Sequence, residues 1–258
     1  MATKSRYLLG PVLLVALLLI FLTFHKTSGT STVSAGSQDN NSRDLPVVDY
    51  QTEITKEKSK TRKEKDEHFK GRGNAGSGPI TELPNGIEPL PTNVHWWLGL
   101  SAIPVDQSDL IILGDVVARE AHLSSDRTGI YSEFTVQIAD VLKDATNGVV
   151  AGSQLFVNRL GGSVRFASGR TQKYGLSGQG MPHAGSEYVL FLRKTAEGDW
   201  LILTGYELSG GHVTPLDGED SKDPRSDLPF AKYRGVDQTA FLKDIRDAVT
   251  RSATGGAQ

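Results

Sequence analysis

The stretch GSEYVLFLRK, residues 185–194, constrains the fold more than any other part of the chain. In a β-strand its side chains alternate, which places Tyr188 and Leu190 on one face and Val189 and Phe191 on the other. Both faces are apolar, so other parts of the protein must cover both of them. The short turn TAEGD then leads into WLILTGYEL, and two strands joined by a short glycine-containing turn predict a β-hairpin.

Other segments also carry strand patterns. In GIYSEFTVQIADVLK, Phe134, Val136 and Ile138 point one way and polar residues alternate with them, as in a half-buried strand. LIILGDVVAR has apolar residues on both faces, and SQLFVNRL follows the turn-like stretch DATNGVVAG. The glycine-rich stretch 161–186 predicts a flexible loop between strands.

The C-terminal segment DQTAFLKDIRDAVTRSA predicts one amphipathic helix. Phe241, Ile245 and Val249 recur at i, i+4 and i+8, and Asp237 is the predicted N-cap residue. Five or six strands, mostly hairpin-connected, together with one helix indicate a mainly β protein. The predicted fold is a small antiparallel OB-like barrel with a C-terminal amphipathic helix packed on it.

The N-terminus determines the predicted compartment. Lys4 and Arg6 precede the uncharged run YLLGPVLLVALLLIFLTF, residues 7–24, which as a helix would be about 27 Å long, close to the hydrocarbon thickness of a bilayer. Signal-peptide cores usually run about 7–15 residues, so this run predicts an uncleaved signal anchor. Cleavage of a signal peptide, with small residues at 33–35, is the alternative. Either way the rest of the chain is expected outside the cytoplasm, in the periplasm or extracellular space.

The sequence predicts four regions: a transmembrane signal anchor at 1–26, a disordered polar and basic tether at 27–92, an OB-like barrel domain at 93–236, and a C-terminal helix and tail at 237–258. The tether lacks hydrophobic periodicity, and residues 56–72 hold eight Lys or Arg against four Asp or Glu. A basic run of this kind is either a solvated spacer or a contact for anionic lipid, a polyanion or an acidic partner.

Charge and cysteine content exclude several functions. Residues 101–258 carry 16 Lys or Arg and 20 Asp or Glu, a balance of −4 that argues against a nucleic-acid partner. The chain has no cysteine, which excludes a thiol nucleophile, a thiolate metal site and a disulfide framework.

Several of these segments occur together in a familiar order: SDLIILGDVV, YSEFTVQIADVLKD, the glycine pair at 161–162, a glycine-rich stretch, and GSEYVLFLRK with its following hairpin. This order resembles a group of uncharacterised exported bacterial β-barrel domains, which are similar to the netrin/tissue-inhibitor-of-metalloproteinase (TIMP) module. The resemblance covers about residues 105–215 and implies an OB-like barrel, but no activity. The inhibitor module blocks a metal site with a cysteine-bearing N-terminus, which this chain lacks.

The sequence contains no strong catalytic motif. Asp115, His122 and Ser125 are the residue types of a Ser/His/Asp site and make an envelope hydrolase the alternative function, although no G-x-S-x-G motif is present. None of the six histidines pairs with another at a metal-binding spacing, so no metal or cofactor is predicted. The acidic stretch 216–227 predicts a solvated loop.

The leading prediction is a membrane-tethered extracytoplasmic binding or interaction module without enzymatic activity. Its partner would be an envelope protein or an oligosaccharide, since an OB-like barrel binds either class on one face. A third hypothesis is a structural element of an envelope complex. The predicted binding residues are Trp96, Trp97, Tyr131, Tyr174 and His183.

Overall fold

Nine β-strands and three α-helices form the regular structure of residues 45–71, 78–90, 96–218 and 228–255, which are the parts of the chain that the computed structural model describes. The predicted anchor run, 7–24, lies outside these residues. No helix within them is both long and apolar enough to cross a membrane. The strands are β1 (Val47–Asp49), β2 (Leu110–Leu123), β3 (Ile130–Asp144), β4 (Gln154–Leu160), β5 (Gly162–Arg165), β6 (Thr171–Tyr174), β7 (Glu187–Lys194), β8 (Trp200–Ser209) and β9 (His212–Pro215).

The larger sheet has six strands in the order β4-β3-β2-β7-β8-β9, and all neighbours in this order are antiparallel. Strand β4 also runs parallel to β8 over two residue pairs, Val157 with Trp200 and Asn158 with Leu201. The predicted mainly β fold with a C-terminal helix is therefore confirmed.

Strand β7 is covered on both faces, as its sequence predicts. Tyr188, Leu190 and Leu192 lie in one hydrophobic core with residues of β2, β3 and β4. Val189 and Phe191 lie in a second core on the other side of the sheet, which the C-terminal helix covers. The β7–β8 hairpin is present, and its turn is closed by a hydrogen bond from the Thr195 amide to the Asp199 carbonyl (2.8 Å).

The C-terminal helix α3 (Gln238–Gly255) begins where the sequence places it. The Ala240 amide donates to the Asp237 carboxylate (3.0 Å), which makes Asp237 the N-cap. Phe241 and Ile245 are fully buried in the second core, and Val249 packs against that core. The predicted amphipathic helix is confirmed.

The smaller sheet, β1-β5-β6, was not predicted. Strand β5 pairs in parallel with β1 and antiparallel with β6, so the expectation of a flexible loop over 161–186 is wrong for these two strands. The inward-facing side chains of the β5–β6 hairpin are Val164, Gln172 and Tyr174, all buried. Because one of them is polar and both strands are short, the alternating pattern is hard to detect in the sequence.

The expectation of a disordered tether over 27–92 is wrong for the part of it at 45–71. Besides β1, this part forms helices α1 (Tyr50–Thr55) and α2 (Lys60–His68), and we call 45–71 the N-terminal segment. Asp49 and Ser59 accept hydrogen bonds from Thr52 and Arg62, respectively, and so cap the two helices. Helix α2 lacks hydrophobic periodicity because polar side chains such as Arg62 and Lys65 contact the sheet.

Candidate functional site

Trp96 is anchored on the domain by its whole indole ring. Its Nε1–H donates to the Ser177 carbonyl in the glycine-rich stretch (3.0 Å). The ring lies nearly parallel to Phe230, with centroids 6.1 Å apart, and the Arg159 guanidinium carbon lies 5.4 Å from the ring centroid. Trp96 and the glycine-rich stretch therefore meet in the structure.

Trp97 and Leu98 form the outer part of the same turn. Trp97 packs edge-on against Trp96, with ring centroids 5.7 Å apart, and is partly buried. The Leu100 amide donates to the Trp97 carbonyl (2.9 Å), which closes the turn. Leu98 is 75% exposed. The turn thus presents an exposed apolar side chain on a fixed aromatic base, which is the arrangement of an anchor residue in a protein interface.

A buried ion pair supports this turn from below. Arg159 of β4 is 1% exposed, and its Nη2 donates to both carboxylate oxygens of Asp217 at 2.7 and 2.8 Å. The Thr204 hydroxyl and the Gly180 amide donate to the same carboxylate at 2.8 and 2.9 Å. Burial raises the pKa of the Asp217 carboxyl, and Arg159 and the two donors oppose that rise. The four hydrogen bonds satisfy the buried carboxylate.

Gly180 and Gln179 connect the ion pair to the glycine-rich stretch. A Cβ atom at position 180 would lie 1.8 Å from the Leu216 carbonyl oxygen, so only glycine lets the backbone approach Asp217 this closely. The Gln179 amide is oriented so that its oxygen accepts from Arg159 Nε (3.0 Å) and its nitrogen donates to the Leu160 carbonyl (3.0 Å). The loop below Trp96 is therefore rigidly held.

Tyr131, a predicted binding residue, is fully buried under helix α2. Its ring stacks on Phe69, with centroids 4.0 Å apart and planes 6° from parallel. Its hydroxyl donates to Asp66 (2.7 Å) and accepts from Arg62 Nη1 (3.0 Å). Burial, with the nearby Asp66 carboxylate, raises the pKa of the Tyr131 phenol far above its usual value. Glu133, two residues along β3, accepts from Arg62 (3.0 Å).

The other two predicted binding residues are Tyr174 and His183. Tyr174 is 5% exposed and packs in the core beside β5, where its hydroxyl donates to Gln172 (3.2 Å). The His183 amide donates to the Tyr188 hydroxyl (3.1 Å). Of the five predicted binding residues, Trp96 and Trp97, which are neighbours in the sequence, are in ring contact with each other.

The residues of the alternative hydrolytic site do not assemble. Asp115 and His122 lie seven residues apart on the extended strand β2, which separates them by roughly 20 Å. The Ser125 hydroxyl donates to Glu67 (2.6 Å), and His122 Nδ1 lies 3.6 Å from Glu53. A nucleophile–base hydrogen bond, which this chemistry requires, is absent among these three residues.

Within the described residues, no three His, Asp or Glu side chains lie close enough together to hold a metal ion. The acidic stretch was predicted as a solvated loop, but its first carboxylate, Asp217, is buried. Residues 219–227 of the same stretch lie outside the described residues.

Sequence reasoning missed Leu98, Arg159 and Asp217. The sequence signal for Leu98 was its place directly after two tryptophans. Arg159 lies in the predicted strand SQLFVNRL, whose central residues are apolar. A charged side chain that is buried in such a strand requires a buried partner. Nothing in the sequence identified Asp217 as that partner.

No family model matches the chain, and no curated protein matches it either.

Proposed function

We propose that this protein is an extracytoplasmic binding module, held at the membrane by residues 7–24, that docks a protein of the cell envelope. The observation that supports this most is the turn at 96–99. Trp96 is fixed to the domain by a hydrogen bond and ring contacts, while Leu98 is 75% exposed beside the partly buried Trp97. A preformed apolar anchor loses little conformational entropy when it enters a partner's pocket.

The proposed architecture is an OB-like barrel. Five strands follow one another in the order β4-β3-β2-β7-β8, and the last of them pairs over two residues with the first. This arrangement is consistent with a five-stranded sheet that closes into a barrel. The Asn158 side chain adds a hydrogen bond to the Trp200 carbonyl (3.2 Å) across that pairing. The resemblance to exported OB-like domains supports the same proposal. Barrels of this type bind their ligands with loops at one end of the barrel and with one face of the strands.

An envelope protein fits the turn better than an oligosaccharide. A sugar ring would need the open face of an aromatic ring, but Trp96 already contacts Phe230 and Arg159. Trp97 is itself partly buried and lies against Trp96. The side chain that remains most exposed, Leu98, is aliphatic and suits an apolar pocket on a protein.

Crosslinking in intact cells tests this proposal. The tagged full-length chain is purified from the membrane fraction as wild type, as Leu98→Asp and as Val150→Asp. Val150 is a matched control because it is also apolar and 67% exposed but lies in a different loop. We expect one envelope protein to co-purify with the wild type and the control and to be reduced at least tenfold with Leu98→Asp.

Two results would contradict the proposal. Equal recovery of the partner with both aspartate variants would show that the turn is not the docking surface. A control chain that carries only residues 1–92 gives the background. If the wild type enriches no protein above that background, the protein has no such partner and the proposal is wrong.

A further inference from the structure

A cavity of about 330 Å³ lies between the N-terminal segment and the β2–β3 turn. Its charged lining consists of four cationic residues, Lys56, Lys58, Lys63 and Arg127, and three acidic residues. Small-molecule sites in proteins usually measure about 300–1,000 Å³, so this cavity suits a small ligand or a single chemical group. It is separate from the proposed docking turn, since none of its lining residues belongs to that turn.

The three acidic residues of the cavity all pair with lysines, two of them with the same lysine. Glu53 pairs with Lys58 (2.7 Å), and Asp66 pairs with the same lysine (2.6 Å). Glu67 pairs with Lys70 (2.8 Å) and accepts a hydrogen bond from the Ser125 hydroxyl (2.6 Å). Two lysines compensate two of these three negative charges, so the carboxylates leave one negative charge at the cavity.

Two of the cationic residues in the cavity, unlike the carboxylates, have no ion-pair partner among the described residues. The N-terminal segment contains seven Lys or Arg, and five of them form ion pairs with described residues. The other two, Lys56 and Lys63, have no carboxylate of the described residues within ion-pair distance, and both line the cavity. The unpaired charge of the segment is thus concentrated at one place.

Arg127, in the β2–β3 turn, adds a third such cation to the cavity lining. It also forms no ion pair with a described residue, and its backbone is left-handed (φ 58°), an unusual conformation for a residue other than glycine. The turn that holds it is rigid: Asp126 accepts from the Ser124 hydroxyl (2.7 Å) and the Thr128 amide (3.1 Å), and the Arg127 amide donates to the Ser124 carbonyl (2.9 Å). Strain of this kind is frequent at ligand sites.

We propose that this cavity binds the phosphate group of a small anionic ligand through Lys56, Lys63 and Arg127. Three cations around one cavity repel each other, and a bound dianion would relieve that repulsion. Lysine and arginine are the usual protein ligands of phosphate. The phosphate belongs either to a soluble phosphate ester or to the headgroup of an anionic lipid, which share this chemistry.

The test uses the full-length chain with two phosphate probes. Inorganic phosphate is titrated into the chain in uncharged detergent, and binding is measured by calorimetry. In parallel, the chain is sedimented with phosphatidylglycerol vesicles and with phosphatidylcholine vesicles. An apolar anchor contributes equally to binding of both kinds of vesicle, so a difference between them reports on the headgroup. Saturable phosphate binding assigns a soluble ligand, and a preference for phosphatidylglycerol alone assigns a lipid headgroup.

The variants distinguish a site from a generally basic surface. We expect Lys63→Gln combined with Arg127→Asn, which tolerates the left-handed backbone, to weaken binding at least tenfold. Lys60→Gln is the control because it removes one positive charge from the helix that carries Lys63, at a side chain that is 91% exposed and outside the cavity. Leu98→Asp should also leave binding unchanged, which keeps this test independent of the docking proposal.

An equal loss of affinity in Lys60→Gln and in the cavity variant would overturn the proposal. It would also be overturned if the wild type bound neither inorganic phosphate nor phosphatidylglycerol vesicles in preference to phosphatidylcholine.

Discussion

Asp217 has an environment quite different from that predicted for the acidic stretch in which it lies. It is fully buried, accepts four hydrogen bonds and neutralises Arg159 beneath Trp96. The sequence shows five carboxylates within twelve residues and offers no means of telling which one folds inward. That distinction depends on Arg159, which is 58 residues away in the chain.

We predict that Asp217→Ala lowers the free energy of unfolding by about 3–5 kcal/mol, since it leaves a buried guanidinium without a counter-charge. Replacing both partners, as in Arg159→Met with Asp217→Leu, should cost less than the single change. Urea denaturation followed by tryptophan fluorescence measures both. A single variant as stable as the wild type would contradict the assignment of this ion pair.

At the scale of elements, helix α2 shows how polar contacts can fix a segment that carries almost no apolar surface. Arg62 and Lys65 both bind Glu133 on β3, and His68 Nδ1 lies 2.7 Å from Asp199 in the β7–β8 turn. Sequence periodicity detects apolar faces, so it located β3, β7 and α3 but not a helix held by ion pairs. Long-range charge pairing leaves no local pattern.

We predict that Glu133→Ala loosens α2 and raises the rate of tryptic cleavage within residues 56–70 about tenfold. Two ion pairs at a partly exposed site are lost, each worth roughly 0.5–1 kcal/mol, and cleavage follows the population of the opened helix. Asp140→Ala is the control, because Asp140 lies on the same strand but pairs with Arg246 of α3 (3.3 Å). Mass spectrometry of early fragments measures the rate, and equal cleavage of both variants would argue against this contact.

For the molecule as a whole, the interface between the N-terminal segment and the sheet makes stability depend on pH. Burial raises the pKa of Glu53, but hydrogen bonds and charges from His122 and Lys58 outweigh it and lower the value to about 2. Hydrogen bonds also outweigh burial at Asp126, whose pKa falls to about 2, and the pKa of Glu133 is lowered as well. A carboxyl whose pKa is depressed by folding stabilises the fold above its ordinary pKa.

We therefore expect the free energy of unfolding to be constant near neutral pH and to fall as pH drops from about 4.5 toward 2. Glu53→Gln should be less stable at pH 7 and should show a shallower fall, since one of the titrating groups is gone. Denaturation at a series of pH values measures both slopes. Identical slopes for variant and wild type would show that Glu53 does not contribute.

The whole-molecule fold was predictable where burial follows a period of two or 3.6 residues, as in β7 and α3. The turn at 96–99 was half predictable: the two tryptophans stood out in the sequence, but only the structure separates Trp96, which is fixed to the domain, from Leu98, which is exposed. The β1-β5-β6 sheet was missed because short strands with a polar inward residue such as Gln172 carry too weak a pattern.

The most direct test of the docking proposal is photo-crosslinking from a benzophenone amino acid placed at position 98 in living cells. The same amino acid at position 150 serves as the control, since Leu98 and Val150 are 75% and 67% exposed. The proposal predicts one discrete protein adduct from position 98 and none from position 150. No adduct from position 98, or the same adducts from both positions, would contradict it.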